Sequence, residues 1–244
     1  MVFADINCGF YMRPRDGMLV AGFEQVAAVC EEFGIQKRVM YNKENAGAPL
    51  KEKNAMTCAL CREHGGVPAL HLLPPAYVSE SYTEPELEEI IARENPVFRI
   101  SPKTDACPFT EWMYGFIPGL LEKKRVPLLA PLEEVDLRDA AQIMRAYPGL
   151  RLVLTNTTQW MNRQYVRFIQ EFPGVYLEIC NVIEYYGLEN LTRVLGASRL
   201  LFGTNMPDKE PYDKVFQMSR SEIGDEEKEL ISHGNYERLV ERRE

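Results

Sequence analysis

Short runs of alternating apolar and polar residues recur along the chain, and they predict eight β-strands. In the first run, Val2–Gly9, alternation places Ala4 and Ile6 on one face and Asp5 and Asn7 on the other. The first face is apolar, whereas the second ends in polar groups. The other seven strands are predicted over Lys37–Tyr41, Val67–Leu73, Val97–Ser101, Val126–Ala130, Leu150–Leu154, Val175–Ile179 and Arg199–Gly203.

Segments with helical periodicity separate these strands. The segment Gly22–Phe33 has an apolar stripe at helical spacing, and Gly34 ends it. Thr83 and Glu86 form a capping box at the start of a helix that reaches Glu94. Further helices are predicted over Leu50–Glu63, Glu111–Lys123, Leu137–Tyr147 and Leu188–Leu195, and from about Tyr212 and about Asp225.

Two Pro-Gly steps indicate how these elements are connected. Pro148–Gly149 and Pro173–Gly174 each follow a helix and precede a strand, and a repeated helix-to-strand unit implies parallel strands. Successive strands begin roughly 24 to 35 residues apart, which is the spacing that a (β/α)8 TIM barrel needs. We therefore predict an α/β protein with one barrel domain over residues 1–244. The alternative is a doubly wound open sheet, but Asn7–Phe10 is not the Gly-rich phosphate turn which that fold would require.

Composition and charge narrow the functional classes. With 45% hydrophobic and 26% charged residues, the chain of 244 residues is typical of a globular protein with a sizeable core. A net charge of -8 argues against a nucleic-acid-binding surface. No apolar run approaches the ~20 residues of a membrane span. We expect a cytoplasmic protein that binds neither membranes nor nucleic acid, with buried thiols rather than disulfides among its six cysteines.

The candidate site follows from the ends of the predicted strands. If the apolar alternate residues of each strand face the helices, the remaining residues near the carboxyl ends face the barrel axis. In TIM barrels the active site is assembled at these ends. The inward-facing residues predicted in this way are Asp5, Asn7, His71, Arg99, Ser101, Ala130, Asn156, Glu178 and Asn205.

Three segments resemble the amidohydrolase superfamily, in particular its barrel hydrolases and decarboxylases. The segment Asp5–Gly9 (DINCG) stands where that family has Asp-x-His-x-His on strand one. The segment Leu201–Pro207 (LFGTNMP) is similar to its Leu-Phe-Gly-Ser-Asp-x-Pro on strand eight. The segment Gly234–Leu239 (GNYERL) is similar to its closing Gly-Asn-Ala-x-Arg-Leu. Together these segments span the chain, and the resemblance implies a TIM barrel.

The resemblance also implies one or two divalent metals, but this chain departs from the ligand set. The positions of the expected imidazole and carboxylate ligands beyond Asp5 are occupied by Asn7, Gly9, Ala130, Asn156 and Asn205. Because amide oxygens are weak, neutral ligands, we expect no metal ligands and no cofactor. The alternative is a divalent metal such as zinc, held by a rebuilt set drawn from Asp5, His71, Glu178 and Cys180.

The remaining polar residues are sufficient for acid–base chemistry on a small polar acid or amide. We predict Asp5, His71 and Glu178 as catalytic residues, because two carboxylates and one imidazole can transfer protons near neutral pH. Arg99 is suited to hold a carboxylate or phosphate by paired hydrogen bonds. The other predicted substrate-binding residues are Asn7, Ser101, Asn156 and Asn205. The competing interpretation is a structural ion pair and a satisfied core histidine.

Three functional hypotheses follow. The first is a hydrolase or lyase of the amidohydrolase type with a degenerate metal site. The second is a catalytically silent protein whose asparagine-lined cup binds a polar ligand or a partner subunit. The third is a metal-dependent hydrolase with a rebuilt ligand set. In each case the expected partner is a small molecule, and the resemblance adds a homo-oligomer formed through the outer helices.

Overall fold

Eight parallel strands form a barrel in which each strand pairs with the next along the chain. The structure is a computed structural model and describes residues 1–13, 17–18, 20–44, 49–77, 80–241 and 243. The predicted (β/α)8 TIM barrel is confirmed. The strands are β1 Phe3–Phe10, β2 Ile35–Asn42, β3 Val67–His71, β4 Val97–Arg99, β5 Leu128–Pro131, β6 Leu152–Thr155, β7 Val175–Glu178 and β8 Leu200–Leu201.

Helices connect the strands on the outside of the barrel. The helix predicted over Glu111–Lys123 is divided in two, because Gly115 has a φ of 54° that interrupts helical geometry. No helix in the described ranges is long and apolar enough to cross a membrane. The helices are α1 Phe23–Glu32, α2 Leu50–His64, α3 Glu84–Glu94, α4 Glu111–Tyr114, α5 Ile117–Lys124, α6 Leu137–Ala146, α7 Asn162–Glu171, α8 Gly187–Leu195, α9 Tyr212–Arg220 and α10 Asp225–Glu229. After α10 the chain continues in π-helical turns over Leu230–Gly234 and Glu237–Glu241.

The barrel closes between β1 and the segment that follows β8. The amide of Ile6 donates to the carbonyl of Phe202 at 3.1 Å, and the amide of Asn205 donates to the carbonyl of Asn7 at 2.9 Å. The amide of Gly9 donates to the carbonyl of Met206 at 2.8 Å. Because β8 itself has only two residues, these bonds bring the ends of β1 and β8 together at the mouth.

Buried apolar residues form two clusters, one inside the barrel and one between the strands and the helices. The outer cluster is the larger and contains residues of every strand. The inner cluster extends from the strands down to the closing segment, where Tyr236, Leu239 and Val240 cover the amino-terminal end of the barrel. The strand residues of the inner cluster are Ala4, Ile6, Val39, Tyr41, Ala69, Val97, Leu129, Val153, Tyr176 and Leu201.

The opening strand departs from the predicted alternation. Phe3 packs in the outer cluster, whereas Ala4 and Ile6 pack in the inner cluster, which is the reverse of the prediction. The register between β1 and β2 shifts after Phe3 and again between Asp5 and Cys8. A strand with such irregularities does not keep strict alternation, so the parity of its first residues was predicted wrongly.

Asn7 nevertheless faces the barrel interior, as predicted, because it lies within the second irregularity, between Asp5 and Cys8. Its side chain hydrogen-bonds with Asn156 and Glu178 across the barrel. A second correction concerns β5, where Ala130 was predicted to face inward. Ala130 packs in the outer cluster, and its neighbour Leu129 packs in the inner one.

Candidate active site

A cavity of about 820 Å³ opens at the carboxyl ends of the strands. The ends of β2, β3, β4 and β6 and the loops after β4, β5 and β8 surround it. Active sites of TIM barrels are built at this face. Among its lining residues are Tyr41, Lys43, His71, Arg99, Ser101 and Asn156.

Arg99 is a buried charged residue in the wall of this cavity, with 9% of its surface exposed. Its guanidinium lies 4.1 Å from the centroid of the Tyr41 ring, which supports it from one side. Its Nη1 lies 3.5 Å from Oδ1 of Asn7, which is a long contact for a hydrogen bond. Within the described part of the chain, no carboxylate forms a salt bridge with Arg99.

His71 lies next to Arg99, because the two are register partners in the β3–β4 pair. Its Nε2 is 2.8 Å from Oδ2 of Asp105, which belongs to the loop after β4. Both side chains are partly exposed to the cavity, 25% for His71 and 17% for Asp105. The carboxylate favours the tautomer that carries a proton on Nε2, so Nδ1 is the nitrogen left to exchange a proton with a ligand.

Asp5 lies beneath the cavity and is completely buried. Its Oδ1 accepts hydrogen bonds from the amides of Asn7 at 2.7 Å and Thr204 at 3.2 Å, and its Oδ2 accepts one from the Thr204 hydroxyl. Burial raises the pKa of Asp5 to about 7, and the charge of Glu178 acts in the same direction, against the hydrogen bonds from Thr204 and Asn7. These bonds join the end of β1 to the segment after β8.

Glu178, at the end of β7, is also completely buried. Its Oε2 accepts from Nδ2 of Asn7 at 3.0 Å and from the amide of Asn156 at 3.2 Å, and its Oε1 accepts from the amide of Cys180. Burial raises the pKa of Glu178, although these hydrogen bonds oppose the shift. The two predicted carboxylates therefore form the floor under the cavity and do not line it.

Two asparagines adopt left-handed backbone conformations where their strands end. Asn156 has a φ of 51° and Asn205 a φ of 59°, a region that asparagine enters more readily than most residues. Oδ1 of Asn156 accepts from Asn7 at 2.8 Å. Oδ1 of Asn205 accepts from Nζ of Lys43 at 2.7 Å and from the Tyr41 hydroxyl at 3.4 Å.

Lys43 is a site residue that the sequence reasoning missed. Its ammonium lies 2.6 Å from Oδ2 of Asp208, and only 6% of its side chain is exposed. Burial acts to lower the pKa of Lys43, but Tyr41 and Asp208 outweigh it, and the pKa is raised. Lys43 is therefore a fixed positive charge. The alternation of β2 could have indicated it. Tyr41 faces inward, and residue 43 lies two positions further along the same face, directly after β2 ends at Asn42.

The structure brings most of the predicted residues together in two layers. The first layer lines the cavity and comprises His71, Arg99, Ser101 and Asn156. The second layer lies beneath or beside it and comprises Asp5, Asn7, Glu178 and Asn205. Their catalytic and binding roles stay predictions. Asp105 is a further residue that no sequence pattern marked, because it belongs to an irregular loop.

No protein-family model matches the sequence, and no curated protein sequence matches it. Solved structures match along the whole chain. An uncharacterised TIM-barrel protein from Bordetella bronchiseptica is 16% identical, with a TM-score of 0.77, and the match covers 100% of this chain and 99% of that one. A 2,6-dihydroxybenzoate decarboxylase from Rhizobium is 13% identical, with a TM-score of 0.75 and 100% of both chains covered. A putative amidohydrolase from Staphylococcus aureus is also 13% identical, with a TM-score of 0.77, and the match covers 98% of this chain and 99% of that one, so the chain shares the TIM-barrel fold of these proteins.

Another solved structure with the same fold corrects the expectation about cofactors. A dihydroxybenzoic acid decarboxylase from Polaromonas, solved with bound manganese and the inhibitor 2-nitroresorcinol, is 13% identical, with a TM-score of 0.74. The match covers 100% of this chain and 98% of that one. A protein with this fold therefore does accommodate a divalent metal, and the prediction that no cofactor is required is wrong.

The residues at the mouth do not by themselves form a metal site in their present arrangement. Among the described residues, no group of three or more His, Cys, Asp or Glu side chains is placed to hold a metal ion. Asp5 and Glu178 accept hydrogen bonds from the protein at both of their oxygens. Oδ1 of Asn205 faces the Lys43 ammonium, whose charge repels a cation. The present contacts thus do not provide the rebuilt ligand set considered from the sequence.

Proposed function

We propose that the protein is a hydrolase or lyase that acts on a small organic molecule carrying a carboxylate, bound in the cavity at the barrel mouth. The observation that carries this proposal is Arg99, a buried guanidinium that lines the cavity without an ion-pair partner among the described residues. The amidohydrolase-type fold supports the reaction class, because decarboxylases share it.

The surroundings of Arg99 explain why a carboxylate is the expected ligand. A buried charge without a partner is costly, and an anion that accepts paired hydrogen bonds from the guanidinium removes that cost. The Tyr41 ring keeps the guanidinium plane in place at 4.1 Å, which reduces the entropy lost when the ligand binds. Arg99 therefore orients the ligand.

His71 is the side chain best placed to move a proton. As the register partner of Arg99, it lies beside a carboxylate that is bound there. Asp105 holds its Nε2 at 2.8 Å and stabilises the imidazolium that forms when Nδ1 accepts a proton. This assignment gives His71 the role of acid or base, with Asp105 as its positioning residue.

A ligand-binding protein without catalysis is the second candidate. The observation that favours it is the position of Asp5 and Glu178, which are buried under the cavity with their oxygens engaged by the protein. If chemistry requires either carboxylate to touch the ligand, the present arrangement does not allow it.

The test uses thermal stabilisation by pentanoate, a simple monocarboxylate. We expect pentanoate to raise the Tm of the wild type, and Arg99→Gln to weaken its binding by about 10- to 100-fold, the effect of losing a charge-assisted pair. Arg220→Gln is the matched control, because Arg220 also lies over an aromatic ring, Phe216, but outside the cavity. Equal stabilisation of Arg99→Gln and the wild type would contradict the proposal.

A turnover screen in the same experiment separates the two candidates. Amides and acids that carry a carboxylate are incubated with the protein, with and without added Mn²⁺, because a barrel of the same fold binds manganese. We expect His71→Gln to abolish any turnover while it preserves stabilisation by pentanoate. Stabilisation without turnover of any compound in the wild type supports the binding protein instead.

A further inference from the structure

The lining of the cavity also carries acidic side chains. Glu133 and Glu134 lie on the turn Leu132–Glu134 that follows β5, and both line the cavity together with Asp105. Glu80, from the segment before α3, lines it as well. Because the loops after β4 and β5 are neighbours at the mouth, these carboxylates approach the cavity from one direction.

Two of these carboxylates, Glu134 and Glu80, accept hydrogen bonds from neutral donors. Glu134 accepts from the amide and the hydroxyl of Thr104, each at 2.7 Å. Glu80 accepts from the amides of Ala76 at 3.0 Å and Tyr77 at 3.3 Å. In the part of the chain that the structure describes, neither Glu80, Glu133 nor Glu134 forms a salt bridge. The negative charge of this wall is therefore not neutralised by the protein.

The deep part of the cavity has the opposite character. Arg99 is buried there without a salt bridge to any described carboxylate. Lys43 adds a second positive charge, although Asp208 neutralises most of it at 2.6 Å. Among the described residues, the cavity lining thus carries a positive charge at Arg99 and negative charges at Glu133 and Glu134 that no salt bridge neutralises, and Lys51, Lys53, Glu44 and Glu52 line the cavity as well.

We infer that the ligand is bipolar, with a carboxylate on Arg99 and a positively charged amino group directed toward the carboxylates of Glu133 and Glu134. This inference rests on the proposed function, since the carboxylate on Arg99 fixes the orientation of the ligand. A second carboxylate at the far end of the ligand would meet the like charges of the wall and be repelled. An uncharged far end would leave the wall without a counter-charge.

Three acids with the same five-carbon chain test the inference by calorimetric titration. Pentanoate has an uncharged far end, 5-aminopentanoate a positive one and glutarate a negative one. We expect 5-aminopentanoate to bind about fivefold more tightly than pentanoate, the effect of one partly exposed ion pair, and glutarate to bind most weakly. High salt reduces the difference between the first two acids.

Variants assign the preference to the acidic wall. We expect the double variant Glu133→Gln with Glu134→Gln to bind 5-aminopentanoate no more tightly than pentanoate, and still to bind pentanoate. Glu133→Gln alone should reduce the preference for 5-aminopentanoate, and because Glu133 is exposed, the change does not threaten folding. The control is Glu32→Gln with Glu171→Gln, at exposed positions on α1 and α7, which removes the same charge away from the cavity and should leave the preference for 5-aminopentanoate unchanged.

The outcomes distinguish the two proposals. If none of the three acids binds the wild type, the proposed function fails and this inference fails with it. If pentanoate binds through Arg99 but 5-aminopentanoate binds no better, or glutarate binds best, the bipolar ligand is overturned while the proposed function stands. If the double variant Glu133→Gln with Glu134→Gln still binds 5-aminopentanoate more tightly than pentanoate, the bipolar ligand is also overturned.

Discussion

Asp5 is completely buried, and its carboxyl group is satisfied by hydrogen bonds, as buried polar groups usually are. Two of its three hydrogen bonds come from Thr204, so they join β1 to the segment after β8. The sequence pattern predicted Asp5 as a catalytic acid or base, whereas its contacts assign it to closure of the barrel. Its catalytic role stays a prediction, because its oxygens are bound by the protein and do not line the cavity.

The raised pKa of Asp5 predicts how stability depends on pH. Its pKa rises from 3.8 to about 7 through burial, so the folded protein holds a proton that the unfolded chain releases above about pH 4. The stabilising contribution of Asp5 is therefore complete below pH 3.8 and is lost as pH rises through about 7. The total effect is on the order of 4 kcal/mol.

Urea unfolding across this pH range measures the effect. We expect the free energy of unfolding of the wild type to fall with rising pH, and Asp5→Asn to remove most of that slope. A smaller slope remains, since burial raises the pKa of Glu178 as well. Asp213→Asn, at an exposed position on α9, is the control and should keep the wild-type slope. An unchanged slope in Asp5→Asn would refute this account.

At the scale of elements, the side chain that follows β2 crosses the end of β1 to reach β8. Lys43 extends over Gly9 and hydrogen-bonds with Asn205 at 2.7 Å and Asp208 at 2.6 Å. A Cβ atom on Gly9 would lie 2.4 Å from Cε of Lys43 and 2.8 Å from its Cγ. Because residue 9 has no side chain, Lys43 can pass over β1 and connect the end of β2 to the segment after β8.

This contact predicts a strong coupling between residues 9 and 43. We expect Gly9→Ala to destabilise the protein by about 1–3 kcal/mol, because the new methyl group displaces the lysine chain. Lys43→Ala removes that chain, so Gly9→Ala should cost much less in the double variant. Chemical denaturation of the four proteins in this cycle measures the coupling energy.

A glycine with more room provides the comparison. The nearest atom to a Cβ on Gly234 would be the carbonyl oxygen of Glu229 at 3.4 Å, an ordinary contact distance. We expect Gly234→Ala to be nearly neutral, with or without Lys43→Ala. Additive effects of Gly9→Ala and Lys43→Ala would mean that the lysine chain is free to move aside.

At the scale of the molecule, the interior of the barrel is one continuous apolar core with a polar layer on top. The inner cluster extends from Tyr236, Leu239 and Val240 at the amino-terminal end to Tyr41 in the wall of the cavity. The closing segment thus covers the end of the barrel opposite the candidate site. In TIM barrels, residues at the amino-terminal end contribute mainly to stability, whereas the active site is built at the carboxyl-terminal end.

A truncation in the closing segment should therefore affect stability and not binding. Leu239 is 1% exposed and belongs to the inner cluster, so we expect Leu239→Ala to cost about 2–5 kcal/mol of unfolding free energy. Leu230→Ala in the same segment is the control, because Leu230 is 40% exposed and should cost less than about 1 kcal/mol. Denaturation midpoints measure the effect on stability, and titration with pentanoate measures the effect on binding.

Sequence periodicity was sufficient for the order of the elements and for the barrel. The Pro-Gly steps before β6 and β7 and the regular spacing of the apolar runs depend on local chemistry that a sequence displays directly. The same holds for His71, Arg99 and Ser101, whose strands keep regular alternation and whose side chains reach the cavity as predicted.

The features that could not be predicted depend on contacts between distant residues. Register shifts in β1 reversed the faces of Phe3 and Ala4, and only the pairing with β2 reveals them. Lys43 enters the site through space left by Gly9, and Asp105 through the course of an irregular loop. Neither feature has a periodicity that a single sequence displays.

The crossing of Lys43 over Gly9 also has an evolutionary consequence. A larger side chain at residue 9, such as histidine, would collide with the lysine that spans this position. The lysine would have to move away, at the expense of its bonds to Asn205 and Asp208. We therefore expect residues 9 and 43 to change together among homologous chains, with a side chain at residue 9 accompanied by a shorter side chain at residue 43.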